Sequence, residues 1–493
     1  MTLHICSVIL FLLVATSLRG QAPFNKTFDY MGQTEFGWSI DLNNDSSYSA
    51  VSGAENNQFH LGIVYWKFSL DGNVLLQNEF FKPDRDIYPG LSHTMKKLSD
   101  GNFFVAGGVN EYDPLNQNVV VLKVKENGDQ IFFKSIETGN YDAAYNSTIL
   151  GDNGFAVTGF TYPDTGISSN LLLMKVDSSG NLIWSKSYGG TEADNGYTVN
   201  EISGKRLFVS GNKNYSITNY APWVMITDSS GNILKEKEWT SGAIYCGATS
   251  TYLTLDSMYL MKGCMDTVVN AGDYHYAAFI GKMDTLFNFK WQAVYNGSDE
   301  YYVYIAKQMQ DSSIVFVGAV IDTLSIFSTG WVGKLDAHGN KLWEHDYKYG
   351  NSTFNYLSDF QQTADKGYII TGSTIGPTSQ DVWLLKLDSV GCLNPNNCYT
   401  GDLTVEISKD AELRIAPNPS TDVANIIYNL PEKNTEAQFI ISDLTGREIL
   451  RVNTDSFLNT MSLDVTQWHN GVYVCALLSQ GQPTMGRKFV VMH

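Results

Sequence analysis

The chain has 493 residues, of which 17% are charged, and carries 28 Tyr, 25 Phe and 43 Gly against only 12 Pro. That length exceeds one ordinary domain unless the domain is a repeat array, and the aromatic, glycine-rich balance favours strands joined by polar turns over helices. The formal net charge is −18; residues 413–493 hold six Lys/Arg and seven Asp/Glu, so nearly all the excess lies upstream and argues against nucleic acid as a partner.

The first element is "ICSVILFLLVATS" (Ile5–Ser17), an apolar run of signal-peptide length followed by small residues. It predicts a signal peptide over residues 1–22 and a mature protein exported through the Sec route into the periplasm. No later segment has the ~18 apolar residues needed to span a bilayer. "FNKTFDYMG" (Phe24–Gly32) comes next and resembles "WSKSYGG" (Trp184–Gly190) far downstream.

A short apolar run ending in Gly then recurs at Gly53, Gly107, Gly159, Gly211, Gly263, Gly318 and Gly372, at intervals of 52 to 55 residues. Each is followed by a strand that often carries Lys and by a polar turn, as in "MKVDSSGN" (Met174–Asn181) and "GKLDAHGN" (Gly333–Asn340). Each repeat reads as four short strands, and four strands in about fifty residues is the plan of a β-propeller blade. The Gly ending the second strand is expected to allow close approach between neighbouring repeats. The seventh repeat has three strands, and Phe24, Lys26 and Phe28 match Trp184, Lys186 and Tyr188 of a fourth strand. The expectation is an all-β, seven-bladed propeller over residues 23–392, with the N-terminal strand closing the last blade. These repeats resemble bacterial seven-bladed propeller families with D-x-x-G-N-x-x-W…Y-G-G turns. Blades four ("GNILKEKEW") and five ("KMDTLFNFKW") depart from that pattern.

Residues 393–412 read as a linker and 413–493 as a small antiparallel β-sandwich. The motifs here are Pro417–Asn418–Pro419, Asp443 with Gly446 and Arg447, Gly471–Val472–Tyr473, and Lys488 opening the final apolar run. They resemble the type A C-terminal sorting domain of the Bacteroidetes type IX secretion system. That resemblance implies partnership with the secretion machinery and its sortase, cleavage within 399–412, and attachment to surface lipopolysaccharide or release. The domain is then an address without catalytic work.

Six cysteines remain to be placed. Cys6 leaves with the signal peptide. Cys246 and Cys264 fall on successive predicted strands, where a bridge would close a loop of about 18 residues worth roughly 3 kcal/mol. Cys392 and Cys398 flank an Asn/Pro turn as a short clasp, and Cys475 is expected as a buried thiol.

No H-E-x-x-H, C-x-x-C or P-loop appears, and His338 and His345 are expected to be solvated rather than metal-bound. No cofactor is called for. The acidic turn Asp41–Ser47 offers oxygen ligands of the kind calcium takes, but without the ordered spacing of a dedicated loop. Asp177 and Gly180 stand three apart, which fails the sialidase Asp-box spacing, and the quinoprotein-like Trp motif lacks its metal pocket. With no catalytic motif, the leading expectation is a non-enzymatic propeller that binds glycan or protein, secreted or attached to the outer-membrane surface. The alternatives are an extracellular polysaccharide-active enzyme and a structural part of a surface assembly. Loops on rigid scaffolds commonly carry recognition, so Tyr112, Tyr162, Tyr215, Tyr220, Tyr274 and Tyr276 are the candidate ligand-contact aromatics.

Overall fold

The computed structural model describes residues 21–91, 93–112, 115–139, 141–163, 168–216, 219–239, 249–270, 273–376, 379–393, 412–429, 437–443, 447–454, 458–479 and 482–493. The predicted signal-peptide core, the expected sorting cleavage region and the residues Cys246, Cys398 and Gly446 lie outside them. Every named element among the described residues is a β-strand. The chain divides into two compact units, one running to Leu393 and the other from Asn394.

In the first, the described strands form seven four-stranded antiparallel blades. Blade one is Glu35–Leu42, Tyr48–Glu55, Leu61–Phe68 and Val74–Phe80, from the innermost strand outward. Blade two has its innermost strand in two pieces, Arg85–Pro89 and Met95–Lys97, and a single parallel pair, Tyr141↔Gln117, joins it to blade three. Blade seven combines Asn355–Gln362, Tyr368–Ile375 and Gln380–Leu387 with Phe24–Phe28. The innermost strands touch in cyclic order, and Glu35–Leu42 meets both Met95–Lys97 and Asn355–Gln362. Seven buried apolar clusters fill the seven seams. Val51 with Leu122 marks the seam of blades one and two, for example, and Trp66 with Leu384 that of blades seven and one. The molecule is an all-β propeller.

The N-terminal strand takes the register that its sequence match requires. Phe24, Lys26 and Phe28 face Lys386, Leu384 and Val382, as Trp184, Lys186 and Tyr188 face Lys175, Leu173 and Leu171 in blade three. Asn25 accepts a 2.6 Å hydrogen bond from the Trp383 indole.

Two recurrent contacts explain the repeat motif. Within a blade, the Lys of the third strand pairs with an Asp of the first turn, as in Lys67–Asp45, Lys175–Asp152 and Lys334–Asp311. Between blades, the fourth strand grips the D-x-x-G-N turn of the next. Trp184 donates to the Ser229 carbonyl (3.2 Å), Lys186 to Asn232 (2.7 Å) and Tyr188 to the Gly231 carbonyl (2.5 Å). Gly231 adopts φ +79°, and a side chain there would run into Trp184, Lys186 and Tyr188. Blade five keeps this turn without glycine: Phe287 takes φ +67°, buried and capped by Lys235 at 4.2 Å from its ring.

The marker glycine makes room inside its own blade as well as beside the next. A Cβ on Gly372 would stand 1.9 Å from the Tyr356 carbonyl oxygen, and on Gly211 1.9 Å from that of Asn195. The tightest approach at these two positions is inside the blade, against its own innermost strand, and the neighbouring repeat also comes close: a Cβ on Gly37 of blade one would stand 2.4 Å from the Gly372 carbonyl oxygen.

Cys264 lies on the second strand of blade five, and Cys246, its expected bridge partner, lies outside the described residues. The ladder neighbour of Cys264 on the third strand is Ala278, and the described ladder to the first strand stops at Ser250↔Lys262. Cys392 is disulfide-bonded.

In the second unit, a three-stranded sheet (Glu412–Ala416, Val423–Asn429, Leu458–Asp464) and a four-stranded sheet (Glu448–Thr454, Ala437–Asp443, Gly471–Ser479, Gln482–Val491) enclose Ile426, Phe439, Tyr473 and Phe489. Cys475 is buried there as a thiol, and burial pushes its pKa up to about 12. The motif residues are structural. Asn418 accepts from the Val490 N–H (2.8 Å), Arg447 Nε donates to Asp443 (3.1 Å), and Tyr473 donates to the His469 carbonyl (2.9 Å). Gly471, Val472 and Lys488 lie on the paired final strands, Val472 opposite Val490 and Val474 opposite Lys488.

The N-terminal strand buries parts of Phe24 and Phe28 against blades seven and one. Deleting residues 24–28 is expected to expose the Gln380–Leu387 edge and lower the thermal midpoint of the propeller by about 5 °C or more; differential scanning calorimetry reads the shift.

Candidate functional site

The innermost strands share a β-bulge that aims one extra residue per blade. Trp38, Tyr145, Tyr197, Tyr304 and Ser358 occupy it in blades one, three, four, six and seven. In blade two the ladder leaves at Pro89↔Gly107 and resumes at Met95↔Val105, so five residues stand where blade three has two. This three-residue insertion carries His93, at φ +60°, into the place that Tyr145 holds next door.

His93 is held from across the ring. Its Nδ1 lies 3.2 Å from Asp359 Oδ2 in blade seven, and its ring meets Tyr252 of blade five edge-on at 6.4 Å. Asp359 is fully buried and takes Lys307 Nζ of blade six at 2.8 Å, the Ser39 hydroxyl of blade one at 2.9 Å and the Ile40 N–H at 3.2 Å. Lys96 donates to the His93 carbonyl at 2.7 Å. One carboxylate thus ties four blades together. Burial opposes its charge, but Lys307 and His93 outweigh that and hold it well below the usual carboxylate range. Burial, with the charges of Lys307 and Lys96, lowers His93 to about 3, so it is neutral at pH 7. Burial likewise lowers Lys96 to about 7.

Beside this cluster, Phe36, Trp38, Tyr88 and Tyr145 wall a cavity of about 220 Å³ with Leu61 and Leu91. Phe36 stacks on Trp38 (6.2 Å, 17°) and Tyr145 on Tyr197 (5.4 Å, 6°), which extends the aromatic surface from blade one to blade four. The antiparallel order puts the start of every innermost strand at the same end of the ring as the hairpins between second and third strands. All six tyrosines singled out from the sequence lie on those hairpins, at the cavity's end of the ring. Tyr162 packs on Tyr141 and Phe160, Tyr276 meets Tyr302, and Tyr215 donates to Glu238. For Tyr112, Tyr220 and Tyr274 only the strand position is described. The cavity aromatics went unread, although a signal existed: His93, Tyr145, Tyr197 and Tyr304 each stand 14 residues before Gly107, Gly159, Gly211 and Gly318.

Other sequence candidates have structural duties. Asp177 Oδ1 accepts from Ser179 and Asn181 within its own turn. Asp45, in the turn weighed for calcium, is engaged by Ser47 and Lys67. His338 sits in an exposed turn, whereas His345 is not simply solvated: it stacks on Trp343 at 5.3 Å and its Nδ1 is buried.

Residues 414–492 match the family described as the secretion system C-terminal sorting domain. With it the chain is type IX secretion cargo, a secreted or cell-surface protein. No curated protein matches the chain. Similar solved structures include a puromycin hydrolase S511A mutant (12% identity, TM-score 0.45, 80% of this chain and 58% of that one). An alpha-L-arabinanase of Penicillium chrysogenum is similar at 11% identity and TM-score 0.40, over 62% of this chain and 93% of that one. The beta-propeller domain of the Trilobed protease from Pyrococcus furiosus follows at 10% identity and TM-score 0.35, over 72% and 95%. Likeness at this level bears on neither substrate nor mechanism.

Replacing Asp359 by Asn is expected to destabilise the propeller by about 3 kcal/mol, because it leaves buried positive charge uncompensated. Unfolded, His93 takes up a proton near pH 6.5, but folded only near 3. The unfolded chain therefore binds more protons between those values, and stability falls as the pH is lowered through that window. His93→Gln is expected to flatten this part of a plot of thermal midpoint against pH.

Proposed function

We propose that the propeller is a non-enzymatic module that binds an extracellular glycan at the aromatic cavity between blades one and three, and that the sorting domain delivers it to the cell surface. The observation that supports this reading is the meeting of Phe36, Trp38, Tyr88 and Tyr145, from three successive blades, around one opening. Aromatic faces stack on the C–H faces of sugar rings. The residues lining the cavity include no carboxylate, whereas glycoside hydrolysis ordinarily uses a carboxylate pair. His93, neutral and held between blades, serves as a support for the wall.

In this reading the signal peptide within residues 1–22 starts export, residues 393–412 form a linker open to the sortase, and the released propeller passes to surface lipopolysaccharide or the medium. Its partners are the secretion machinery, then the glycan.

Two measurements test the reading. A glycan array probed with the purified protein is expected to give a defined set of hits, with Trp38→Ala and Tyr145→Ala each weakening binding about tenfold. A blank array, or hits indifferent to both substitutions, would sink the cavity as a glycan site. Deleting residues 414–492 is expected to remove the protein from the surface and the medium while it still accumulates in the cell, as fractionation and immunoblotting would show.

A further inference from the structure

Where blade seven meets blade one, the carboxyl oxygens of Asp29, Glu35 and Asp381 lie within 4.8 Å of one another. Asp29 directly follows the N-terminal strand, Glu35 opens the innermost strand of blade one, and Asp381 lies on the third strand of blade seven. Glu35 is fully buried, and neither of its carboxyl oxygens has a hydrogen-bond partner among the described residues. Asp381 is buried too, with Ser379 Oγ at 3.1 Å.

The repeat frame shows how unusual this is. The position of Glu35, two residues before the strand enters its bulge, is held by Asp142, Asp194 and Asn355 in blades three, four and seven. There the side chain caps the connection between blades. Asp142 accepts from the Thr138 and Gly139 N–H groups, Asp194 from Gly190 and Asn214, and Asn355 from Tyr349. The position of Asp381 is held by Asn118 and Asn170 in blades two and three, so at those seams the two positions carry one acid and one amide. Only here, among these seams, do two buried acids meet, with a third carboxylate from the N-terminal strand and no N–H group bonded to Glu35. Like charges at this spacing repel, and burial raises the cost. Burial, joined by Asp29, Asp381 and Glu55 and opposed by the nearby Tyr30 N–H, pushes Glu35 up to about 9.

We propose that Asp29, Glu35 and Asp381 bind a calcium ion that fastens the N-terminal strand to blades seven and one. Three carboxylates supply the hard oxygen donors that calcium takes, each in one- or two-oxygen mode. The exposed side of Asp29 admits the waters that complete a shell of six to eight. The ion sits where the N-terminal strand completes the last blade of the ring, so its binding free energy adds to ring closure.

The test compares full-length protein in chelator with the same protein in about 1 mM calcium chloride, a concentration suited to extracellular calcium modules. Calcium is expected to raise the thermal midpoint by about 2 °C or more and to slow amide exchange at residues 24–28. Glu35→Gln, which keeps the shape and removes the charge, is expected to match or exceed the wild type in chelator and to lose the calcium response; Asp381→Asn is expected to lose it as well. Titration calorimetry with calcium chloride alone reads binding without any variant. A wild-type midpoint that ignores calcium, an absence of heat of binding, or a response that survives both substitutions would overturn the proposal.

Discussion

The structure depends on the grip of each fourth strand on the turn of the next blade. A propeller blade has one apolar face per side and cannot bury either alone, so everything rests on how adjacent blades are held in register. The apolar seams supply most of the burial, but they are non-directional. Direction comes from the aromatic ring under the turn glycine and from the Lys reaching the turn Asn, each a polar or shape-specific contact that tolerates little sliding. The Asp that opens the turn accepts its N–H groups, as Asp177 does from Ser179 and Asn181, and so fixes the carbonyls that the neighbour reads. A ring needs this grip at every seam. At the seam of blades seven and one it comes from Phe24 and Lys26: a side chain on Gly72 would collide with the Phe24 ring, and Lys26 reaches the Asp71 carbonyl and Asn73. The N-terminal strand therefore has two duties, completing one blade and gripping the next.

The ring centre follows a second logic. Innermost strands converge, and a bulge lets each place a large side chain where an ideal ladder would alternate it away. Four blades place an aromatic residue there. Blade two instead inserts three residues and His93, and the half-buried polar groups it brings find partners in the fully buried Asp359. Asp359 takes donors from blades one, two and six, so its cost is offset several times over and its removal is felt across the ring. Such a network is stable only when each member is satisfied, which makes it a rigid floor for whatever the adjoining cavity holds.

Much of the architecture was legible because it is written seven times. The Gly markers, the Lys-bearing third strand and the D-x-x-G-N turn each recur at a spacing that chance does not give, and the match of Phe24, Lys26 and Phe28 to Trp184, Lys186 and Tyr188 specified a register residue by residue. Phe287 shows that even an apparent break in the motif keeps the turn, because burial of its ring outweighs the cost of a left-handed backbone. What could not be read were features set by distances between blades. Asp359 and His93 are 266 residues apart, Asp29 and Asp381 farther still, and no local pattern reports such meetings. The marker glycine was legible as a missing side chain, but not that a carbonyl of its own blade needs the room as well as the neighbouring repeat. The cavity aromatics stayed hidden for a related reason: hairpin tips draw the eye in a sequence, whereas the bulge that gathers aromatic residues is invisible until the ladders are paired.

The same repetition separates scaffold from use. A residue that does the same thing in every blade belongs to the ring, as the turn aspartates do. A residue that departs from its equivalents without structural need is where selection has acted on something else. By that criterion three places stand out: the three-residue insertion ahead of His93, the cavity that its neighbours wall, and Glu35, whose carboxyl oxygens have no hydrogen-bond partner among the described residues. The first two adjoin one another around blades one to three, and Glu35 immediately precedes Phe36 of the cavity wall. An ion at Glu35 would fix the start of the innermost strand of blade one, and with it the stacked pair Phe36 and Trp38. Closure of the ring and the shape of the cavity would then depend on the same three carboxylates.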